Sequence, residues 1–217
     1  AQNASVTLHK RLTTPHDPSE AALLGLSELL ELGDVSHADV SEIVHGTTLV
    51  SNAVIERKGA PVGLITTAGF RDLLEMGTEQ RYDIYDLFVS FPDPMVSRDL
   101  RMEVAERMNA AGEVVTELNE EAVLSTAQKL VDAGCEAIAI AFLHSYANPT
   151  HEQRAAELIR AAHPDISISI SSEVVAEMGE YQRIVTTCAN AFMQPLMNRY
   201  LTKLEQFLRG AGFTGPL

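Results

Sequence analysis

Hydrophobic and polar positions repeat in one order along the chain: a short apolar run, a polar turn, then an amphipathic run. Val6 to Leu12 alternates and predicts a strand. Asp17-Pro18-Ser19-Glu20 opens a helix. Asp17 is placed to cap it, Pro18 suits the first helical position, and Glu20 can reach back as in a capping box. Leu23, Leu24, Leu26, Leu29 and Leu30 form its buried stripe, and Gly33 ends it. Ser41 to His45 reads as a short strand, Thr48 to Arg57 as a helix ended by Gly59, and Pro61 to Thr66 as a buried strand. A turn at Gly69 leads to a short helix through Met76. Residues 77–99 read as loop, broken by Phe91-Pro92-Asp93-Pro94. Leu100 to Met108 alternates, with a hairpin turn at Gly112. Asn119 caps a helix through Ala133, Ala137 to Leu143 is a buried strand, and Asn148-Pro149 starts a further helix. Ile166, Ile168 and Ile170 alternate with serines, which predicts a strand with one wet face. From Glu180 to Arg209 the pattern is helical, with Ala189, Phe192, Leu196, Tyr200, Leu204 and Leu208 on one stripe. Pro195 is placed to kink or divide this helix.

Strands alternating with helices argue for an α/β fold on a mostly parallel sheet. The Leu100–Val115 hairpin is the exception and predicts a mixed sheet or a small insertion, within a loop and hairpin region spanning residues 77–116. A single α/β domain over residues 1–217 fits this pattern better than two independent domains.

Charge and composition narrow the function. The 217 residues carry a formal net charge of −14, which repels phosphate backbones and argues against nucleic-acid binding. Cys135 and Cys188 are too few for a disulfide framework and read as reduced thiols, which predicts a cytoplasmic protein. The most apolar stretch, Ala133 to Leu143, is interrupted by Glu136 and falls short of the roughly 20 residues of a membrane span. The N-terminus is polar and shows no signal peptide.

Ligands of open α/β sheets bind at the carboxyl ends of strands. Four such ends carry polar residues: His45-Gly46-Thr47-Thr48, Thr66-Thr67-Ala68-Gly69, His144-Ser145-Tyr146-Ala147-Asn148 and Ser171-Ser172-Glu173. In the first, His45 can hold a substrate group or move a proton, and Thr47 and Thr48 add hydroxyl donors. The competing reading is a plain helix cap with His45 hydrogen-bonded in the core. Thr66-Thr67-Ala68-Gly69 is either a binding turn or a structural one. Glu180 and Arg183, three apart on one helix face, are either a solvated ion pair or a pair lining a cleft. Asp83 and Asp86, in the Arg81-Tyr82-Asp83-Ile84-Tyr85-Asp86 loop, are surface charges or site residues on a loop. His144 and His151 have no third ligand at metal-site spacing, so no metal is expected. There is no Gly-x-Gly-x-x-Gly fingerprint, no phosphate loop and no nucleophile elbow.

The chain resembles the hydantoinase A / 5-oxoprolinase family. The residues that carry the resemblance are Leu12-Thr13-Thr14-Pro15-His16-Asp17-Pro18-Ser19-Glu20, His45-Gly46-Thr47-Thr48-Leu49-Val50-Ser51-Asn52-Ala53, Glu56-Arg57-Lys58-Gly59 and Leu64-Ile65-Thr66-Thr67-Ala68-Gly69-Phe70-Arg71-Asp72. Asn148-Pro149-Thr150-His151-Glu152, Glu180-Tyr181-Gln182-Arg183 and Asn190-Ala191-Phe192 follow in the same order. The resemblance implies an actin-like ATPase (ribonuclease H-like) fold with helices on both sheet faces. It implies ATP-dependent ring opening of a cyclic amide (hydantoin, N-methylhydantoin or 5-oxoproline) through a phosphorylated amide, as in hydantoin utilization. The alternatives are a subunit of an ATP-dependent ketone carboxylase, of acetone or acetophenone type, or a non-catalytic piece that docks a B-type partner.

Family members begin with a hairpin carrying an Asp and a Gly-Gly-Thr-rich phosphate motif, and continue into a second Gly-rich lobe. The chain is therefore expected to be an N-terminal portion, inactive alone, with ATP and Mg2+ serving the full-length enzyme and no cofactor held here. A hydantoinase B-type subunit or domain is the expected partner, in an oligomer. The resemblance favours His45, Thr47 and Thr48 as catalytic groups, with Glu180 and Arg183 behind them, and Gly46, Thr66, Thr67, Gly69 and Asp83 as substrate-binding.

Overall fold

Helix starts and stops follow from local chemistry in a computed structural model that describes residues 6–14, 17–78 and 83–216. Asp17 accepts the Ser19 amide and Pro18 opens α1 (Pro18–Gly33). Its stop is not Gly33. Asp34 takes the left-handed conformation at φ 52°, and Val35 N donates back to Leu30 O at 3.0 Å. A short polar side chain tolerates that conformation. Helix α2 (Leu49–Ile55) ends in the same way on Arg57 at φ 54°, before the expected Gly59. Lys58 N there donates to Ala53 O at 2.8 Å.

The elements that follow are β1 (Val62–Thr67), α3 (Leu73–Met76), β2 (Arg101–Val104), β3 (Arg107–Met108) and β4 (Val114–Thr116). Then come α4 (Glu120–Asp132), β5 (Ala137–Ala141), α5 (Thr150–Ala162), β6 (Ser167–Ile170), α6 (Ser171–Val174) and α7 (Glu180–Gly210). Two expected strands are absent among the described residues: 6–14 and 40–48 are irregular and largely exposed. Pro15 and His16 of the family-like motif, and Arg81 and Tyr82 of the acidic loop, lie outside the described residues. Helix α7 runs on through Pro195.

Two compact units are distinguished, Ala1–Leu49 with Leu196–Leu217, and Val50–Pro195. The second holds a four-stranded sheet in the order β2-β1-β5-β6, with every pair parallel. The expected mixed sheet resolves differently. Residues 101–104 join the sheet in parallel, and among the described residues only β3 and β4 pair antiparallel, in a separate ribbon. Ile65, Ile138, Ile140, Ile168 and Ile170 pack with Val123, Leu130 and Ile159 of α4 and α5. Each fully buried aliphatic side chain contributes about 1.5–3 kcal/mol. Gly63 sits on this face because a Cβ there would lie 2.6 Å from Leu130, so α4 presses directly on the β1 backbone.

The serine face of β6 is not wet. Ser167 Oγ and Ser169 Oγ donate to Gln194 Oε1 at 2.8 and 3.1 Å, and Asn190 Nδ2 donates to Ser169 Oγ at 2.9 Å. Helix α7 thus covers that face with amides, and helices lie on both sides of the sheet.

The first unit has its own core. Tyr200, Leu204, Leu208 and Phe213 are buried against Leu23, Leu26, Val40 and Ile43. The chain end is tied in by Ile43 N donating to Pro216 O at 3.2 Å and Arg209 Nη1 donating to Gly215 O at 2.9 Å.

Candidate functional site

At the carboxyl edge of the sheet, α5 opens with His151 and Glu152 side by side, and each anchors a buried polar cluster. Glu152 is fully buried. Its Oε1 accepts the Phe142 amide at 2.8 Å and Ser171 Oγ at 2.6 Å, and its Oε2 accepts the Ser172 amide at 2.8 Å. Burial pushes its carboxyl above the ordinary value, and those donors oppose the shift. Ser171 Oγ in turn accepts Arg183 Nε at 3.0 Å and lies 2.9 Å from Ser145 Oγ. Arg183 also donates to Phe142 O at 2.7 Å and Glu177 O at 3.2 Å. Burial lowers its pKa, with the Glu152 and Glu180 charges pulling the other way.

The second cluster centres on Glu106, which accepts the Thr67 hydroxyl and lies 2.8 Å from His151 Nδ1. Thr67 Oγ1 accepts the Leu143 amide at 3.0 Å. The two clusters together lock the ends of β1, β5 and β6 to the start of α5.

These bonds decide where several expected site residues act. Arg183 is 1% exposed and points into the fold rather than along a solvated helix face. Glu180 is half-buried at the start of α7. Thr66 Oγ1 donates to Ala141 O at 2.9 Å, and Thr67 is committed to Glu106. The amides of Gly69 and Arg71 both donate to Glu103 Oε1, at 2.9 and 3.2 Å, so a carboxylate of the chain itself fills that turn. Asp83 is exposed and accepts the Tyr85 amide at 2.9 Å, as Asp86 accepts Phe88 N at 2.8 Å. His144 and His151 have different partners, and no group of three metal-binding side chains occurs among the described residues.

In the first unit, His45, Gly46, Thr47 and Thr48 are exposed on irregular chain. Thr47 Oγ1 accepts the Leu49 amide at 3.1 Å and so caps α2. His45 Nε2 lies 2.8 Å from Tyr200 Oη, with the ring centroids 5.6 Å apart. Burial raises the Tyr200 pKa, and the Asp17 charge adds to it. The phenol stays protonated, and the imidazole tautomer sets which of Oη and Nε2 donates. Tyr200 also lines a groove with Asp17, Leu49 and Lys203, where Lys203 Nζ meets Asp17 Oδ2 at 2.6 Å.

Sequence reading missed Glu106, Glu152 and Tyr200 as polar anchors. Glu152 carries a usable signal: a carboxylate in the first turn of a helix that follows a buried strand.

The profile of the hydantoinase/oxoprolinase N-terminal region matches residues 1–163. Caprolactamase subunit alpha of Pseudomonas jessenii is 34% identical over 218 residues, covering 98% of this chain and 31% of the relative. Acetophenone carboxylase gamma subunit of Aromatoleum aromaticum is 31% identical over 224 residues, covering 94% of this chain and 30% of the relative. The crystal structure of ATP-dependent caprolactamase from Pseudomonas jessenii superposes with a TM-score of 0.86 at 33% identity, over 96% of this chain and 31% of that chain. The chain thus spans about a third of the length of these relatives. Sequence and structure agree: the chain belongs to the hydantoinase/oxoprolinase family, whose N-terminal region it matches.

Proposed function

We propose that this chain is the N-terminal α/β part of an actin-like, ATP-dependent enzyme that opens a cyclic amide. The observation that carries this reading is the match to caprolactamase, in sequence over 98% of the chain and in structure at a TM-score of 0.86. A B-type partner subunit belongs to the same proposal, as does a cytoplasmic location, which the two free thiols favour. Among the described residues, no helix is long and apolar enough to cross a membrane.

The residues of this chain divide into two roles. His45, Thr47 and Thr48 are the substrate-facing groups, because they are exposed and their segment is not locked into the sheet. Tyr200 Oη anchors His45 through Nε2, and in the tautomer that accepts this bond Nδ1–H can donate to an amide oxygen. Thr66, Thr67, Glu180 and Arg183 are positioning residues that act from inside the second unit. The β1 turn does not fit a nucleotide phosphate, since Glu103 already fills its amides. ATP and Mg2+ are assigned to other parts of the whole enzyme, and no step through them is derived.

The likeness to an acetophenone carboxylase subunit supports a second reading, activation of a ketone oxygen. The test is phosphate release from ATP by the protein with its partner subunit, offered ε-caprolactam, 5-oxoproline, hydantoin, or acetophenone with bicarbonate. Lactam-dependent or hydantoin-dependent release with a ring-opened product supports ring opening. Release only with ketone and bicarbonate supports the second reading, and release with none overturns both.

A further inference from the structure

The strand order β2-β1-β5-β6 reverses in the middle of the sheet. From β1 the chain passes to β2 on one side, and from β5 it passes through α5 to β6 on the other. All neighbouring strands are parallel, so their carboxyl ends share one edge. In such sheets ligands bind in the crevice beyond the two strands whose connections part. Here that place lies beyond β1 and β5. Thr67 closes β1, Leu143 follows β5, and the Thr67 hydroxyl, the Leu143 amide, Glu106 and His151 are joined there by hydrogen bonds.

Two carboxylates at this edge are held differently. Glu152 is satisfied by two backbone amides and the Ser171 hydroxyl, which makes it a structural clamp. Glu106 is sealed from solvent, yet among the described residues its hydrogen-bond partners are the Thr67 hydroxyl and the ring of His151. A carboxylate only accepts, so against an ionised Glu106 the proton lies on Nδ1 and Nε2 carries the lone pair of the ring. His151 is 7% exposed. Its Nε2 has no hydrogen-bond partner among the described residues and is not one of the atoms sealed without a partner, so this edge of the ring reaches solvent. A buried carboxylate behind Nδ1 stabilises the imidazolium that forms when Nε2 takes a proton.

We propose that the crevice beyond β1 and β5 is an acid–base site, with His151 Nε2 as proton acceptor and Glu106 as its positioning residue. Its ligand is a neutral proton donor, the attacking water where a ring is opened. The O–H bond breaks, its electron pair stays on oxygen, and the proton joins Nε2. The imidazolium then returns that proton to the leaving nitrogen as the C–N bond opens. The site rests on geometry, and only the identity of its proton donor rests on the ring-opening reading.

Two measurements test it. Diethyl pyrocarbonate acylates accessible, unprotonated imidazole nitrogens, and peptide mass spectrometry of the treated chain locates the label. His151 is expected to be labelled, and more slowly in Glu106→Gln. In the protein assembled with its partner subunit, His151→Gln is expected to lower kcat about 10²-fold or more with KM unchanged, on whichever substrate is turned over. Added imidazole is expected to restore part of the turnover of His151→Gly. A histidine that only packs the core gives neither the label nor the rescue. Thermal unfolding checks each variant, and if His151→Gln does not fold, the label on the unmodified chain decides. An unlabelled His151 in a sample where the exposed His45 reacts, or full turnover by folded His151→Gln, overturns the proposal. If no substrate is turned over, the ring-opening reading fails and the label alone decides the site.

Discussion

Gly59 lacks a side chain because the ring of Phe192 stands where one would be: a Cβ there would lie 2.3 Å from two ring carbons. Ala60 N also donates to Phe192 O at 2.9 Å, so neither partner can retreat. Gly59→Ala is expected to cost about 1–3 kcal/mol, read from denaturant unfolding, since overpacking at a fixed contact forces a shift of backbone or ring. Thr47 poses a different question, because its oxygen caps α2 and its hydroxyl hydrogen remains available for another acceptor. Thr47→Val is expected to lower stability by about 1 kcal/mol through the lost cap. If that hydrogen also stabilises charge on an amide oxygen, kcat in the assembled enzyme falls about 10²-fold as well, and Thr47→Ser restores both quantities. A stability loss with unchanged turnover removes Thr47 from the proposed site.

Elements were legible where their signals were local. Asp17-Pro18 and Asn119 bear caps that need only neighbouring amides, and both helices begin where those residues place them. Strands fared worse, because a strand exists only through its partner. Ser41 to His45 has the composition of a strand, but it pairs with no strand among the described residues. The serine face of β6 looked wet because the amides that cover it, Gln194 and Asn190, lie more than 20 residues away in sequence. Arg183 was readable as a charge near Glu180, but not its role, since Ser171 and Phe142 O come from other elements.

The Asp17 cap also serves as a clasp, and its chemistry can be titrated. The Lys203 ammonium, then the Ser19 donors, hold its carboxyl at about 2 against an ordinary 3.8. A depressed carboxylate stabilises the fold above its ordinary range, and that contribution fades as pH falls through the lowered value. NMR titration of the Asp17 carboxyl is expected to show a midpoint near 2 that moves up towards 3.8 in Lys203→Met. An unmoved midpoint would assign the shift to the Ser19 donors alone.

At the scale of the whole molecule, the two cores are separate in composition. An aliphatic cluster lies on the sheet in one unit, and Tyr200, Leu204, Leu208 and Phe213 form the other. The acidity of the chain, −14 overall, acts on both. That charge, with Glu103 already seated on the Gly69 and Arg71 amides, leaves the β1 turn hostile to a polyphosphate. Isothermal titration of this 217-residue chain with Mg-ATP is therefore expected to show no micromolar affinity, a level that corresponds to about −8 kcal/mol. Glu103→Gln supplies the internal control. It removes the competing charge but keeps an acceptor for the two amides, so it should leave the fold intact and raise affinity for inorganic phosphate only marginally. Micromolar binding by the unmodified chain would place a nucleotide site within these residues. It would overturn the division in which they supply substrate-facing and positioning groups while ATP is held elsewhere in the enzyme.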